Sequence, residues 1–205
     1  FITADNRMMV EQGEDVLDGM KIIMKHLNLK KGYIGIEENK PDAIANLNRL
    51  IQQNGLTNIE TFKLQSRYPK GAERDLVYEI TGKVMHAGVL PAQLGIILDN
   101  VTTVAELGRY FRTGMPLVRK RVTVDGDAVA EPKNVFAPIG AQIADIVEFC
   151  GGYKAEPKKI LMGGPMMGFP LNTLEVPMMK GSNGIIAIEP DETKEQPCIK
   201  CGRCV

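Results

Sequence analysis

The sequence lacks several features that would assign it to a common functional class. It has no surplus of basic residues, because 25 lysines and arginines balance 25 aspartates and glutamates, so a nucleic-acid partner is not expected. No run of about 18 apolar residues is present, and no membrane-spanning helix is predicted. The start, FITADNRMM, has neither the basic segment nor the apolar segment of a signal peptide.

Motifs of the common enzyme classes are also scarce. The two histidines, His26 and His86, have no acidic neighbour at metal-ligand spacing, and there is no serine-centred elbow, which disfavours a hydrolase or a zinc enzyme. The Gly-x-Gly-x-x-Gly fingerprint of a Rossmann site is missing. Gly163-Gly-Pro-Met-Met-Gly168 resembles a phosphate loop without the Lys-Ser/Thr pair of a Walker motif, which favours a packed connection.

What is present describes an ordinary globular chain of 205 residues, with 44% hydrophobic and 24% charged residues. This length suffices for one large domain or two modest ones. The chain begins at Phe1 rather than at an initiator methionine and ends within a cysteine motif. Both features predict that it is part of a larger protein.

Alternating helical and strand-like patterns in the first half predict a parallel sheet flanked by helices. The predicted elements are helices at 11–27, 41–53, 72–81 and 102–111, and strands at 32–37, 59–64 and 94–98. The second half predicts a hairpin around Asp125-Gly126-Asp127, a helix at 143–149 and strands at 158–162 and 184–189. Two strands, a helix and a returning strand suggest a small β-grasp-like module.

Three cysteines, Cys198, Cys201 and Cys204, are separated by two residues each. Thiolates at this spacing on a tight loop can bind three corners of a cubane cluster, and the usual bacterial motif adds a fourth cysteine further on. Zinc, a disulfide and unligated thiols are alternatives, although zinc sites favour distant cysteine pairs and disulfides favour secreted chains. Cys150 stands alone in an apolar segment and is predicted to be a core residue.

Two polar segments follow predicted strands, where α/β sheets bind ligands. In Tyr68-Pro-Lys-Gly-Ala-Glu73, backbone N–H groups near the glycine could face a phosphate or a flavin ring, or Glu73 could only interact with the helix dipole. In Asp99-Asn100-Val-Thr-Thr103, Asn100 and Thr103 could contact a ligand, or could only cap the next helix.

Taken together, these motifs resemble the C subunits of the Rnf electron transport complex over essentially the whole chain. The segments that carry the resemblance are Thr3-Ala-Asp-Asn-Arg-Met-Met9, Tyr33-Ile-Gly-Ile-Glu-Glu-Asn-Lys-Pro41, Tyr68-Pro-Lys-Gly-Ala-Glu73, Asp99-Asn-Val-Thr-Thr103, Met162-Gly-Gly-Pro-Met-Met-Gly168 and Pro197-Cys-Ile-Lys-Cys-Gly-Arg-Cys204. More distantly, the chain is similar to the flavin-binding NADH subunit of respiratory complex I and to cobalamin reductases.

The resemblance implies an α/β fold in three parts. These are an FMN- and NADH-binding parallel-sheet domain at 1–114, a β-grasp domain of the soluble-ligand-binding (SLBB) type at 115–165, and a connection at 166–205 to a [4Fe–4S] ferredoxin-like domain. It also implies an NADH-linked oxidoreductase subunit on the cytoplasmic face of a prokaryotic membrane. Such a subunit docks on the other subunits of an ion-coupled complex and passes electrons between NADH, a noncovalent FMN and two [4Fe–4S] clusters.

Individual residues take roles by the same resemblance. Gly71 and Glu73 match the glycine and second glutamate of the complex I Gly-Glu-Glu-Thr loop near the flavin and nicotinamide, which makes Glu73 the catalytic candidate. Asn100 and Thr103 match the Asn-Val-Glu-Thr motif that lines the flavin pocket. The three cysteines at 198, 201 and 204 match ligands of the first cluster.

The chain departs from the family pattern at several points. The glycine-rich loop that cradles the FMN phosphate is absent from the sequence, Ala72 stands in place of a glutamate, and Glu37-Glu38 replaces an Arg-Gly pair. We therefore expect the isolated chain to bind FMN weakly or not at all and to be inactive. We also expect its cysteines to hold no cluster, because the rest of the ligand set is missing. Two alternatives to an Rnf subunit are a cobalamin reductase and a non-enzymatic module that binds a ligand or a partner subunit.

Overall fold

Helices and strands alternate along the first half of the chain and mix in the second, which confirms the predicted α/β class. The structure is a computed structural model that describes residues 2–67, 70–165, 167–190 and 197–202. Its contacts divide it into two compact units. The N-terminal unit comprises residues 6–114 and 198–202, and the C-terminal unit comprises residues 2–5, 115–190 and 197.

The N-terminal unit is a helical layer on a small parallel sheet. Its elements are α1 (Ala4–Glu11), α2 (Gly13–His26), β1 (Gly32–Glu37), α3 (Pro41–Gln53), β2 (Ile59–Leu64), α4 (Glu73–Thr81), a short 3-10 helix (Pro91–Leu94) and α5 (Val101–Thr113). Strands β1 and β2 pair in parallel, with Gly32 opposite Ile59 and Glu37 opposite Leu64. The apolar sides of α2 and α3 bury Leu17 and Leu47 in one core.

Helices α2 and α5 approach each other so closely that their backbones touch. A Cβ atom on Gly19 of α2 would lie 1.9 Å from the carbonyl oxygen of Val104, and one on Gly108 of α5 would lie 2.3 Å from the carbonyl oxygen of Asp15. Only glycine permits such an approach. The buried Asp15 carboxylate also forms an ion pair with Arg112 of α5. Helix α5 can therefore lie this close to α2 only because both contact positions are glycine.

Helix α4 packs on β1 through one side. A Cβ atom on Gly35 of β1 would lie 3.1 Å from a methyl of Leu76 and 3.5 Å from a methyl of Ile80. Val77, which shares this side of α4, is buried. Helix α4 follows β2 in the chain after a connection at 65–72, of which residues 65–67 and 70–72 are described.

The C-terminal unit is a five-stranded sheet with one helix. Its elements are β3 (Arg119–Asp125), β4 (Lys133–Pro138), α6 (Ile143–Phe149), β5 (Lys159–Met162), β6 (Phe169–Pro170) and β7 (Gly184–Ile188). The strand order is β4-β3-β7-β5-β6. Strand β3 pairs antiparallel with β4 and parallel with β7, and β5 pairs antiparallel with β7 and β6. Ile143 and Val147 of α6 join Val122, Val124 and Ile185 in its core.

Residues 2–5, which include the first two residues of α1, also belong to this unit. The backbone N–H groups of Thr3 and Ala4 both donate to the Thr123 side-chain oxygen of β3, at 3.0 Å each. The Thr123 hydroxyl donates to Asn134 Oδ1 at 2.8 Å, and Asn134 Nδ2 donates to the Thr3 hydroxyl at 2.8 Å. Thr123 therefore caps the start of α1 from a distance of about 120 residues in sequence.

Two elements differ from the expectations, and a third is confirmed with a longer connection. The strand predicted at Leu94–Leu98 is wrong, because Pro91 begins a 3-10 helix and Gly95 ends it with a left-handed φ of 72°, which leaves Ile97 exposed. Helix α1 was not predicted, because its start is capped by a distant residue. The hairpin β3–β4 is confirmed, but its connection spans residues 126–132, since Ala128 and Ala130 donate to the carbonyls of Ala187 and Gly152.

The described part of the chain contains no helix that is both long and apolar enough to cross a membrane.

A side chain at either helix contact should disrupt the N-terminal unit. We expect Gly19→Ala and Gly108→Ala each to lower the free energy of unfolding by about 1–3 kcal/mol, because the new methyl group must displace a backbone carbonyl. Urea unfolding followed by far-ultraviolet circular dichroism measures this change. Gly181→Ala is the control, since its Cβ atom meets no atom within 4 Å, and unchanged stability of both helix variants would contradict the contact.

Candidate functional site

Among the described residues, helix α4 begins without a hydrogen bond to the side chain of its N-cap residue, as α2 and α3 also do. Its N-cap residue, Ala72, has extended backbone angles and, among the described residues, supplies no capping hydrogen bond. The preceding Gly71 is exposed, and a Cβ atom there would meet open space. Uncapped N–H groups at a helix start carry partial positive charge and favour an anionic or carbonyl acceptor.

Glu73 is the first residue of α4 and lies in line with the side of the helix that packs on β1. Residues at positions 73, 76, 77 and 80 follow helical spacing, and the last three are apolar. An apolar residue would continue the packed side at position 73, yet the chain places an exposed carboxylate there. In the described part of the chain, Glu73 has no hydrogen-bond or ion-pair partner. Its carboxylate is therefore available to a ligand near the start of α4.

Sequence reasoning missed Lys70, although it lies inside the quoted segment. Its side chain is buried and forms ion pairs with two carboxylates of α4, at 3.4 Å with Asp75 and in closer contact with Glu79. The hydrogen bond with Glu79 raises the pKa of the Lys70 ammonium above its usual value, and Asp75 acts in the same direction while burial opposes it. Tyr68 and Pro69 of this segment lie outside the described residues.

The start of α5 is arranged differently, because its own side chain caps it. Asn100 Oδ1 accepts a hydrogen bond from the backbone N–H of Thr102 at 2.9 Å, so Asn100 is the N-cap rather than Thr102 or Thr103. Thr103 lies exposed in the first turn. The capping interpretation of Asn100 is confirmed, and an additional ligand contact by Asn100 or Thr103 stays a prediction.

The described cysteines of the C-x-x-C-x-x-C motif are two exposed, free thiols, Cys198 and Cys201. The backbone N–H of Lys200 donates to Cys198 Sγ at 3.4 Å, and left-handed φ angles of 53° at Lys200 and 71° at Gly202 curl the segment. An N–H···S bond and a tightly curled loop fit the ligand chemistry of an iron–sulfur cluster. Cys204 lies outside the described residues, and within these no group of three metal-ligating side chains is assembled.

Three other candidates have structural roles. Cys150 is fully buried as predicted, and burial raises the pKa of its thiol. His86 is an exposed loop residue, also as predicted. The segment 163–168 connects β5 to β6 in a turn that is closed by a hydrogen bond from the N–H of Gly168 to the carbonyl of Gly164 at 2.7 Å. Met167 is 84% exposed and Pro165 is exposed, so these side chains do not pack as predicted. Met166 lies outside the described residues.

A cavity of about 400 Å³ lies elsewhere in the N-terminal unit, at the start of α2. Its two arginines are already engaged, because Arg49 donates to Asn46 Oδ1 at 2.7 Å and Arg112 pairs with Asp15. None of the residues predicted for a flavin or nicotinamide lines it. The cavity therefore does not support the predicted site.

Comparison with protein families gives two matches. The model of the Nuo51 FMN-binding domain matches residues 1–109, and the model of the SLBB domain matches residues 121–170. The first match covers more than half of the chain and contains both the start of α4 and the start of α5.

Curated relatives align with all of this chain. It is 41% identical to the C subunit of the proton-translocating ferredoxin:NAD(+) oxidoreductase complex of Clostridium ljungdahlii, where it covers 45% of the relative. It is 38% identical to the Na(+)-translocating counterpart of Acetobacterium woodii and 39% identical to the C subunit of the ion-translocating oxidoreductase complex of Rhodobacter capsulatus, covering 46% and 40% of them. The chain thus spans less than half the length of these relatives.

Removing the Asn100 cap should destabilise α5 without disturbing its packing. We expect Asn100→Ala to lower the free energy of unfolding by about 1 kcal/mol, because the N–H of Thr102 loses its acceptor. Asn100→Ser keeps a capping oxygen and should stay close to the wild type. Chemical denaturation of the three proteins measures the difference, and equal stability of the alanine and serine variants would argue against a capping role.

The cysteines should differ sharply in reactivity in the reduced, metal-free chain. At about pH 8, iodoacetamide should modify Cys198 and Cys201 rapidly, while Cys150 stays unmodified because its thiol is buried and protonated. Peptide mass spectrometry before and after unfolding in urea measures the three sites. Modification of Cys150 in the folded chain at the rate of the other two would contradict its core position, and Cys150→Ser is the assignment control.

Proposed function

This chain belongs to the family of the Nuo51 FMN-binding domain, and from that premise we propose that it is the flavin- and dinucleotide-binding part of a C subunit of an ion-translocating ferredoxin:NAD+ oxidoreductase complex. The observation that carries the proposal is the exposed Glu73 carboxylate at the start of α4, in line with the residues of that helix that pack on β1. Backbone N–H groups at a helix start favour an anionic ligand.

In this proposal, residues at the start of α4 and in the first turn of α5 bind different parts of the two ligands. The backbone N–H groups at Gly71 and the first turn of α4 donate hydrogen bonds to acceptor atoms of FMN. Glu73 orients the nicotinamide of NADH with its free carboxylate, and Thr103 offers a hydroxyl from α5. When bound, FMN accepts the two electrons of a hydride and releases them singly, which matches a pyridine nucleotide to one-electron carriers.

The same proposal assigns the cysteines to a [4Fe–4S] cluster. Cys198, Cys201 and Cys204 supply three thiolates, and the N–H of Lys200 donates to the first of them, which lowers the charge on the sulfur. A fourth ligand and a second cluster belong to the whole subunit. In the whole subunit, a bound flavin and bound clusters would together supply a path for electrons.

We extend the proposal to the domain organisation. The flavin domain comprises residues 1–114, a β-grasp domain of the SLBB type comprises 115–165, and residues 166–205 lead to a ferredoxin-like domain. The β-grasp assignment is supported by a first strand, β3, that lies between its hairpin partner β4 and the parallel last strand β7, with α6 between the hairpin and β5. The SLBB family match over 121–170 points the same way.

The whole protein's partners follow from its relatives' names. We propose that it assembles with the other subunits of a membrane-bound ion-translocating complex and lies peripherally at the cytoplasmic face. NADH is the proposed dinucleotide. The full chain, rather than this part alone, is the form that should bind FMN firmly and transfer electrons.

The test uses the full-length protein with FMN and clusters reconstituted anaerobically. Wild-type protein should bind FMN and be reduced by NADH, as followed by loss of flavin absorbance in a stopped-flow instrument. Glu73→Gln should keep FMN but slow its reduction by about tenfold or more, because an oriented carboxylate is lost at the nicotinamide.

Glu14→Gln is the matched control, since Glu14 is likewise an exposed glutamate in the first turn of a helix in the same unit. It should reduce at the wild-type rate. Failure of the full-length wild type to bind FMN, or to be reduced by NADH, would overturn the proposed function. Wild-type rates in Glu73→Gln would remove Glu73 from the site and leave the flavin assignment intact.

A further inference from the structure

Lys70 is an unusual lysine, because it is buried with a relative exposure of only 6%. Lysine is almost never buried unless it is paired, since removing its charge from water is costly. Here the pairing is double, with Asp75 at 3.4 Å and Glu79 in closer contact. Its backbone is also fixed, because the N–H of Lys70 donates to the carbonyl of Arg67 at 2.9 Å.

The two carboxylate partners lie on a different side of α4 from Glu73. Asp75 and Glu79 are four residues apart and therefore lie one turn apart on one side. Glu73 is in line with Leu76 and Ile80, which pack on the sheet. The ammonium of Lys70 therefore pairs with carboxylates on the other side of α4 from Glu73. Within the described part of the chain, the Glu73 carboxylate has no hydrogen-bond or ion-pair partner.

The charge of this region depends on Lys70. With the ammonium in place, the cluster of Lys70, Asp75 and Glu79 carries a formal charge of minus one; without it, the charge is minus two. Both carboxylates are more than a third exposed, so their field reaches the solvent beside the start of α4. An anionic ligand approaching Gly71 meets this field, and exposed charges act over about 10 Å at ordinary ionic strength.

We propose that Lys70 is a positioning residue of the dinucleotide site, which ties the loop before α4 to that helix and neutralises two carboxylates of α4 that would otherwise repel the anionic dinucleotide. The proposal rests on the function proposed above and deepens it. Lys70 does not touch the dinucleotide; it acts through the shape of residues 71–73 and through the local charge.

The test compares full-length wild type with Lys70→Met, Lys70→Arg and the double variant Lys70→Met with Glu79→Gln. Methionine fills the volume of the lysine stem, and the two freed carboxylates can turn into solvent, so folding should persist. We expect Lys70→Met to raise the KM for NADH about three- to fivefold with kcat within about twofold of wild type. Lys70→Arg should retain the wild-type KM because it keeps the charge.

Two further readouts separate this role from a merely structural one. The KM ratio of Lys70→Met to wild type should fall towards one as sodium chloride is raised, because salt screens the uncompensated carboxylates. The added Glu79→Gln change should restore the KM, because it returns the cluster to a charge of minus one. Lys21→Met is the matched control, since Lys21 pairs with Asp18 on the exposed side of α2 and should leave KM unchanged.

Each other outcome counts against the proposal. The role of Lys70 would be overturned by an unchanged KM in Lys70→Met, by a raised KM that neither salt nor Glu79→Gln corrects, or by the same rise in Lys21→Met. In each of these cases, reduction of the wild type by NADH would still support the proposed function. A wild type that binds FMN but is not reduced by NADH overturns the proposed function, and the role of Lys70 falls with it.

Discussion

The N-terminal unit depends on the contact of two helix backbones at Gly19 and Gly108. The carbonyl of Val104 occupies the space that a side chain at Gly19 would need, and the carbonyl of Asp15 does the same at Gly108. Because glycine has no Cβ atom, the two helix backbones pack directly on each other, and this close packing fixes the position of α5. The ion pair between Asp15 and Arg112 then holds the far end of α5. The polar start of α5 occupies its place because of this contact.

The starts of α4 and α5 differ in whether a side chain accepts a hydrogen bond from their first backbone N–H groups. The start of α5 is satisfied internally, because Asn100 accepts the hydrogen bond of Thr102. The start of α4 has Ala72 at the equivalent position and no side-chain cap among the described residues. A surface that binds anions needs the second arrangement, since a capped helix has less positive charge to offer. Helices α2 and α3 also begin without a side-chain cap, so α4 is chosen for the ligand because Gly71 and Glu73 match the family's ligand loop.

Much of the architecture could be predicted from the sequence, because periodicity reports directly on burial. Helix α3 with Pro41 in its first turn, helix α4 and the parallel strands β1 and β2 all follow their patterns closely. Elements decided by distant contacts could not be predicted. Helix α1 owes its cap to Thr123, which lies about 120 residues away in sequence. The strand expected at 94–98 does not form for a local reason, because Pro91 begins a 3-10 helix and the backbone turns at Gly95.

The candidate site was only partly accessible to the same reasoning. Glu73 and Gly71 were named by resemblance to a family, which the similarity to the ion-translocating relatives confirms at the level of the family. Lys70 carried no signal in sequence, since a lysine in a polar turn is ordinarily exposed. Its burial arises from two carboxylates on the next helix, and a pairing across an unknown turn geometry cannot be inferred from spacing alone.

The hydrogen bonds around Thr123 join residues that are synthesised at very different times. The strands of the C-terminal unit all lie from residue 119 onward. The Thr123 hydroxyl of β3 nevertheless accepts hydrogen bonds from Thr3 and Ala4, about 120 positions earlier in the chain. Ribosomal synthesis delivers those earlier residues long before β3 emerges. The segment around Thr3 must therefore wait, with its N–H groups in water, until more than a hundred further residues have been made.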